Sequence, residues 1–168
     1  NSMSITKVLI PLNQSELSLK IIPCVENLFG PGDAELLLFY VTKPPRSAGF
    51  GEPDLGAGYL PLPGEESVKP TLHPIYASQQ EDSISAHVKA ELEPLVNRLE
   101  LAGYQVEIKV SFNKDPVAAI SRAISRRGID LVAMSTRARV GVTRFFFRNI
   151  ADELAEKENI PVLLIHPR

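Results

Sequence analysis

Short, almost unbroken apolar runs, separated by stretches with a helical period, constrain this chain more than any other feature. Four runs stand out: Val8 to Leu12, Leu36 to Val41, Ile129 to Met134, in which Asp130 is the single charged residue, and Pro161 to Ile165. A strand that reads apolar at every position, not at alternate ones, has both faces covered, as in a parallel sheet. A fifth segment, Tyr104 to Phe112, is different. Val106, Ile108, Val110 and Phe112 alternate with Gln105, Glu107, Lys109 and Ser111. Only one face is apolar, which predicts a strand at a sheet edge.

Four helical stripes lie between the runs. Leu17, Ile21, Val25 and Leu28 form the first, with Ser15 as its expected cap. Ile84, Val88, Leu92, Leu95 and Leu99 form the second. Val117, Ile120 and Ile124 mark the third, with Asp115 as cap and Pro116 at its first position. Ile150, Leu154 and Ala155 mark the fourth, with Asn149 as its expected cap. Pro23 and Pro94 fall inside the first and second helices, where proline is expected to remove a backbone hydrogen bond and kink the helix. Strand and helix alternate from end to end, which argues for one doubly wound α/β domain spanning residues 1–168.

One connection breaks the economy of this plan. Residues 43–77 hold seven of the fourteen prolines and five of the ten glycines, a composition that predicts a long irregular loop. The same stretch carries Phe50, Tyr59, Leu60 and Tyr76, so part of it is expected to dock on the domain or on a partner.

Composition removes several classes of function. Lys and Arg number 18 against 20 Asp and Glu, a net charge of −2 with no like-charge block. Nothing here suits nucleic acid or an anionic membrane. The longest apolar runs are too short to span a bilayer. No basic segment precedes an apolar stretch at the N-terminus, so no secretory leader is expected. Cys24 is the single cysteine, expected as a buried structural thiol, and a chain without an internal disulfide suits the cytoplasm. His73, His87 and His166 are too scattered for a metal site and read as surface residues. There is no nucleophile–base–acid set, so no enzymatic activity is expected.

In an open α/β sheet, ligands bind beyond the carboxyl ends of the strands, where strand order reverses. Two segments therefore matter: Asn13-Gln14-Ser15 after the first strand, and Ser135 to Asn149 after the fourth. The second is read as a loop. It carries Thr136, Thr143 and four arginines, Arg137, Arg139, Arg144 and Arg148, which form either a solvated surface or an anion site beside the start of the last helix. Phe145 to Phe147 are expected in the core or at a subunit interface.

On these residues the chain resembles the universal stress proteins. Lys7-Val8-Leu9-Ile10-Pro11-Leu12-Asn13-Gln14-Ser15-Glu16 is similar to the family's first strand and turn, written K-I-L-V-P-V-D-G-S-E. Asp130 to Met134 and Pro161 to Ile165 are similar to its last two strands. The resemblance leaves out only the 43–77 loop. It implies strand order 3-2-1-4-5 with helices on both faces, the adenine nucleotide alpha hydrolase-like fold, which agrees with the edge placement of the third strand.

It also implies where a nucleotide would sit. Many family members bind ATP through Gly-x-x-Gly, nine residues, then Gly-Ser or Gly-Thr. Those positions are Ser135, Ala138, Arg148 and Asn149 here, so all three glycines are replaced. The family's aspartate after the first strand is Asn13. Leu12, Asn13, Val41 and Met134 would line the base and ribose side. Glycine is needed where the backbone turns left-handed or touches a phosphate, and the Arg148 side chain would grow into the triphosphate's space. The expectation is a regulatory or stress-response protein with a degraded ATP motif, and the alternative is a sensor of ATP, ADP or AMP. The last strand would be an edge strand, apolar on both faces with no charge to blunt it, which predicts a homodimer through Pro161 to Ile165. A further protein partner is expected for such a regulator.

Overall fold

In a computed structural model, the structure describes residues 4–13, 19–45, 74–135 and 142–165, with 74–77 and 142–149 described as backbone only. The elements in chain order are β1 (Thr6–Leu12), α1 (Ile21–Leu28), β2 (Ala34–Thr42), α2 (Pro74–Leu101), β3 (Gln105–Phe112), α3 (Pro116–Arg127), β4 (Leu131–Ser135), α4 (Val142–Glu158) and β5 (Val162–Ile165). They form one five-stranded sheet of order β3-β2-β1-β4-β5, and all its pairs are parallel.

The continuous apolar runs are explained by two separate layers of packing. Val8, Ile10, Leu12, Leu36 and Leu38 point to one face and meet α1 and α2 through Ile21, Val25, Val88 and Leu99. Leu9, Leu37, Phe39, Val132 and Met134 point to the other and meet α3 and α4 through Ile120, Ile124, Ile150 and Leu154. Each such side chain contributes roughly 1.5–3 kcal/mol by leaving water. β3 sits at the edge, and Val106, Ile108 and Val110 pack on the first layer while Gln105, Glu107 and Lys109 remain exposed.

Local chemistry sets the helix ends. The Asp115 carboxylate accepts the Ala118 N–H at 3.2 Å, and Pro116 follows it at the start of α3, as expected. Gly128, at φ 63°, ends α3 in the left-handed conformation that a Cβ disfavours. Gly103, at φ 103°, turns the chain from α2 into β3, and a Cβ there would come within 3.0 Å of Pro31.

Several expectations are corrected. α4 begins at Val142, not at Asn149, so Arg148 and Asn149 lie inside a helix and Asn149 caps nothing. α2 reaches back to Pro74, which shortens the expected 43–77 loop from its C-terminal side. Leu28 and Ala155 are exposed and belong to neither buried stripe. Cys24 is half-buried. Pro23 is the third residue of α1, where the N–H has no acceptor within the helix, so it removes no helical hydrogen bond. Pro94 does lie within α2, but both it and Ala90, whose carbonyl loses its partner, are exposed to water. Ser15 and Leu17 lie outside the described residues, as do Phe50, Tyr59 and Leu60 of the expected loop, and Tyr76 is described as backbone only.

The amino-terminal end of the sheet is tied together by polar contacts. Tyr104, 5% exposed, donates its hydroxyl to the Phe29 carbonyl at 2.5 Å. Arg98 of α2 makes a bidentate pair with Glu26 of α1, at 2.8 and 3.1 Å. Burial holds the Tyr104 phenol above its ordinary pKa, with the charges of Glu26 and then Asp33 adding to the shift. A raised folded-state pKa means stability that is fully present below the unfolded value and is lost as pH climbs through the folded one. Tyr104→Phe is therefore expected to cost about 0.5–1.5 kcal/mol at neutral pH. It should also flatten the decline in stability above about pH 10. Urea denaturation at pH 7 and across the alkaline range measures both effects.

Candidate functional site

Strand order reverses direction between β1 and β4, since β2 and β3 extend the sheet on one side of β1 and β4 and β5 on the other. β1 stays paired with β2 as far as Leu12↔Tyr40, whereas its pairs with β4 are Val8↔Leu131 and Leu9↔Val132. Both strands run on beyond those pairs, to Leu12 and Ser135. The crevice of a doubly wound sheet falls at this point, off the carboxyl ends of the two strands.

Five of the eight residues expected to line a nucleotide come to this end of the sheet. Leu12 and Met134 are 3% and 1% exposed and belong to opposite core layers, so each offers a ligand its backbone and not its side chain. Val41 is half-buried against the α3–α4 layer. Asn13 follows the last residue of β1 and Ser135 ends β4, both half-buried. Ala138 lies outside the described residues, as do Gln14, Arg137 and Arg139. Arg148 and Asn149 are the seventh and eighth residues of α4. The free amides of the helix start are therefore at Val142 and the residues after it, about 10 Å back along the axis from residue 149 at 1.5 Å per residue. The change follows from residue type, because arginine and phenylalanine continue a helix that glycine at 148 would weaken.

A second cavity opens at the same end of the sheet, on the α2 side, with a volume of about 550 Å³. Tyr40 and Thr42 line it from β2, and Ser83, His87 and Glu91 from α2. His87 Nε2 lies 3.1 Å from a Glu91 oxygen, and at 75% exposure His87 is the surface residue expected of it. The sequence trace of this cavity is slight: three polar residues spaced by four along α2, beside the apolar Ile84–Val88 stripe. Among the described residues, no group of three or more His, Cys, Asp and Glu side chains is placed to hold a metal. Among the same residues, no helix is long and apolar enough to cross a membrane.

A parallel five-stranded sheet wound on both faces, with its crevice at the switch point, defines a doubly wound α/β protein. The model of the universal stress protein family matches residues 4–166, and the chain belongs to that family. Its solved relatives agree. A universal stress protein from Lactobacillus plantarum superposes with a TM-score of 0.64 at 17% identity, over 95% of this chain and 97% of its own. A family protein from Arabidopsis thaliana, determined with AMP bound, gives 0.57 at 15% identity, over 97% and 92%. A universal stress protein in complex with cAMP gives 0.56 at 16% identity, over 98% and 99%. A search of curated protein sequences finds no match.

Proposed function

We propose that this chain is a regulatory member of its family that performs no chemistry, acts as a homodimer, and has lost most of the nucleotide affinity of the switch-point crevice. The observation that carries this reading is the unbroken helix from Val142 to Glu158. Family members that hold ATP place a glycine and a serine or threonine where this chain has Arg148 and Asn149. Here those residues are helical, so the backbone that would wrap a triphosphate is committed to intrahelical hydrogen bonds. Ser135 and Ala138 in place of the other two glycines support the same reading.

The relatives solved with AMP and with cAMP favour a second reading, in which a nucleotide smaller than ATP occupies the base and ribose side and is sensed. Calorimetric titration with ATP, ADP and AMP separates the two. The first reading expects ATP to bind with a dissociation constant above about 100 μM. A low-micromolar value for ATP would overturn it, and a low-micromolar value for AMP alone would favour the sensor.

A further inference from the structure

We infer that the groove between α3 and the edge strand β3 is a second ligand site, built for a phosphate group and separate from the switch-point crevice. The groove encloses a cavity of about 220 Å³. Phe39, Ala119 and Ala123, all under 8% exposed, form its apolar floor. Lys109 stands beside Phe39 in the sheet register, and Ser111 lies two residues further along the same face of β3. Arg122 and Arg126 face them from α3, one helical turn apart. One cation and a hydroxyl on β3 thus meet two cations on α3 across a cavity too small for a whole nucleotide.

Charge distribution argues that this arrangement serves a ligand. The chain as a whole has a net charge of −2, yet four cations line this groove, Lys109, Arg122, Arg126 and Arg127. Among the described residues, Lys109, Arg122 and Arg126 have neither an ion pair nor a side-chain hydrogen bond. Like charges four apart on a helix oppose its formation, and no carboxylate on the described face of β3 relieves this pair. Glu107, on the same face of β3, is already taken by Arg127 at 2.6 Å. A phosphate group offers several acceptor oxygens and matches guanidinium forks from one side and an ammonium from the other. Beyond Arg126 and Arg127 the groove opens into a cavity of about 420 Å³ whose rim mixes Lys7 with Glu35 and Glu107, so the anion is confined to the Lys109 end.

The ligand's phosphate could be free inorganic phosphate or the end of a phosphomonoester whose body rests on the apolar floor. Nitrogen–proton correlation spectra of the full chain, titrated with inorganic phosphate and with phenyl phosphate at fixed ionic strength, test the site and separate these sources. Saturable shifts are expected at Lys109, Ser111, Arg122 and Arg126 with at least one probe. Stronger binding of phenyl phosphate would identify a monoester, and equal binding would identify the free ion. An Arg122→Gln, Arg126→Gln variant, altered only at exposed positions, is expected to weaken binding at least tenfold while other resonances stay in place. The inference is overturned if neither probe shifts these amides, if chloride shifts them equally, or if the variant binds as well as the parent. Shifts confined to Leu12, Asn13 and Ser135 would also overturn it, because they would place the anion in the switch-point crevice.

Discussion

A Val162→Lys, Leu164→Lys variant is expected to sediment as a monomer or to fall out of solution, and the parent chain is expected to sediment as a dimer at micromolar concentration. The expectation rests on β5. The sheet ends there, and Val162, Leu163, Leu164 and Ile165 are all half-exposed. Val162 and Leu164 lean on the α3–α4 layer, and Leu163 and Ile165 on the α1–α2 layer. Both faces are thus apolar and neither is fully covered, at the last strand on this side of the sheet. Two copies meeting about a two-fold axis would cover faces and edge together. In such an interface every substitution appears twice, so the variant would set four ammonium groups against one another. Its dissociation constant should rise more than about a hundredfold. A well-folded monomer for the parent chain would show that something other than a second copy covers this edge.

Glycine at positions 135, 138 and 148 together should tighten ATP binding at least about tenfold over the parent, on the scale of 1.4 kcal/mol per decade. Two effects would combine. Glycine at 138 frees the backbone for the left-handed conformation that costs alanine roughly 1–2 kcal/mol. Glycine at 148 weakens α4 from within by about 1 kcal/mol, enough to release the turn and a half before it from helix into loop. Far-ultraviolet circular dichroism should then report less helix in the same variant that calorimetry reports as a better ligand binder. An unchanged affinity would place the deficit at Asn13 and Gln14 instead.

The sheet was legible because its signal is distributed. Five or six consecutive apolar positions cannot all be buried on one face, and the alternation of β3 cannot be buried on two, so the doubly covered sheet and its β3 edge follow from pattern, while the strand order followed from the family resemblance. Helix interiors were legible for the same reason, as Val88 and Leu99 show. Helix beginnings were not. Asp115 with Pro116 is a strong stop-and-start pair, and α3 begins there as expected. Asn149 is a competent cap residue too, but Arg144 to Arg148 are equally competent helix residues, and nothing local forbids the helix from running through them. The family motif makes position 148 the end of a loop, and with arginine there in place of glycine the helix runs through it. The Lys109–Arg126 groove was invisible for a different reason: its two halves are separated in sequence, and each alone reads as ordinary surface charge.

The contacts at the amino-terminal end of the sheet bear on how such a chain can change over time. Tyr104 and Arg98 fasten α2 and β3 to α1, and Asp130 clasps Lys7 through both its backbone and its carboxylate at 2.9 Å. All of these lie at the opposite end of the strands from the crevice. Residues at the crevice can be exchanged without loosening a joint that keeps the layers in register. A chain with other residues at the glycine positions keeps the same joints and the same architecture.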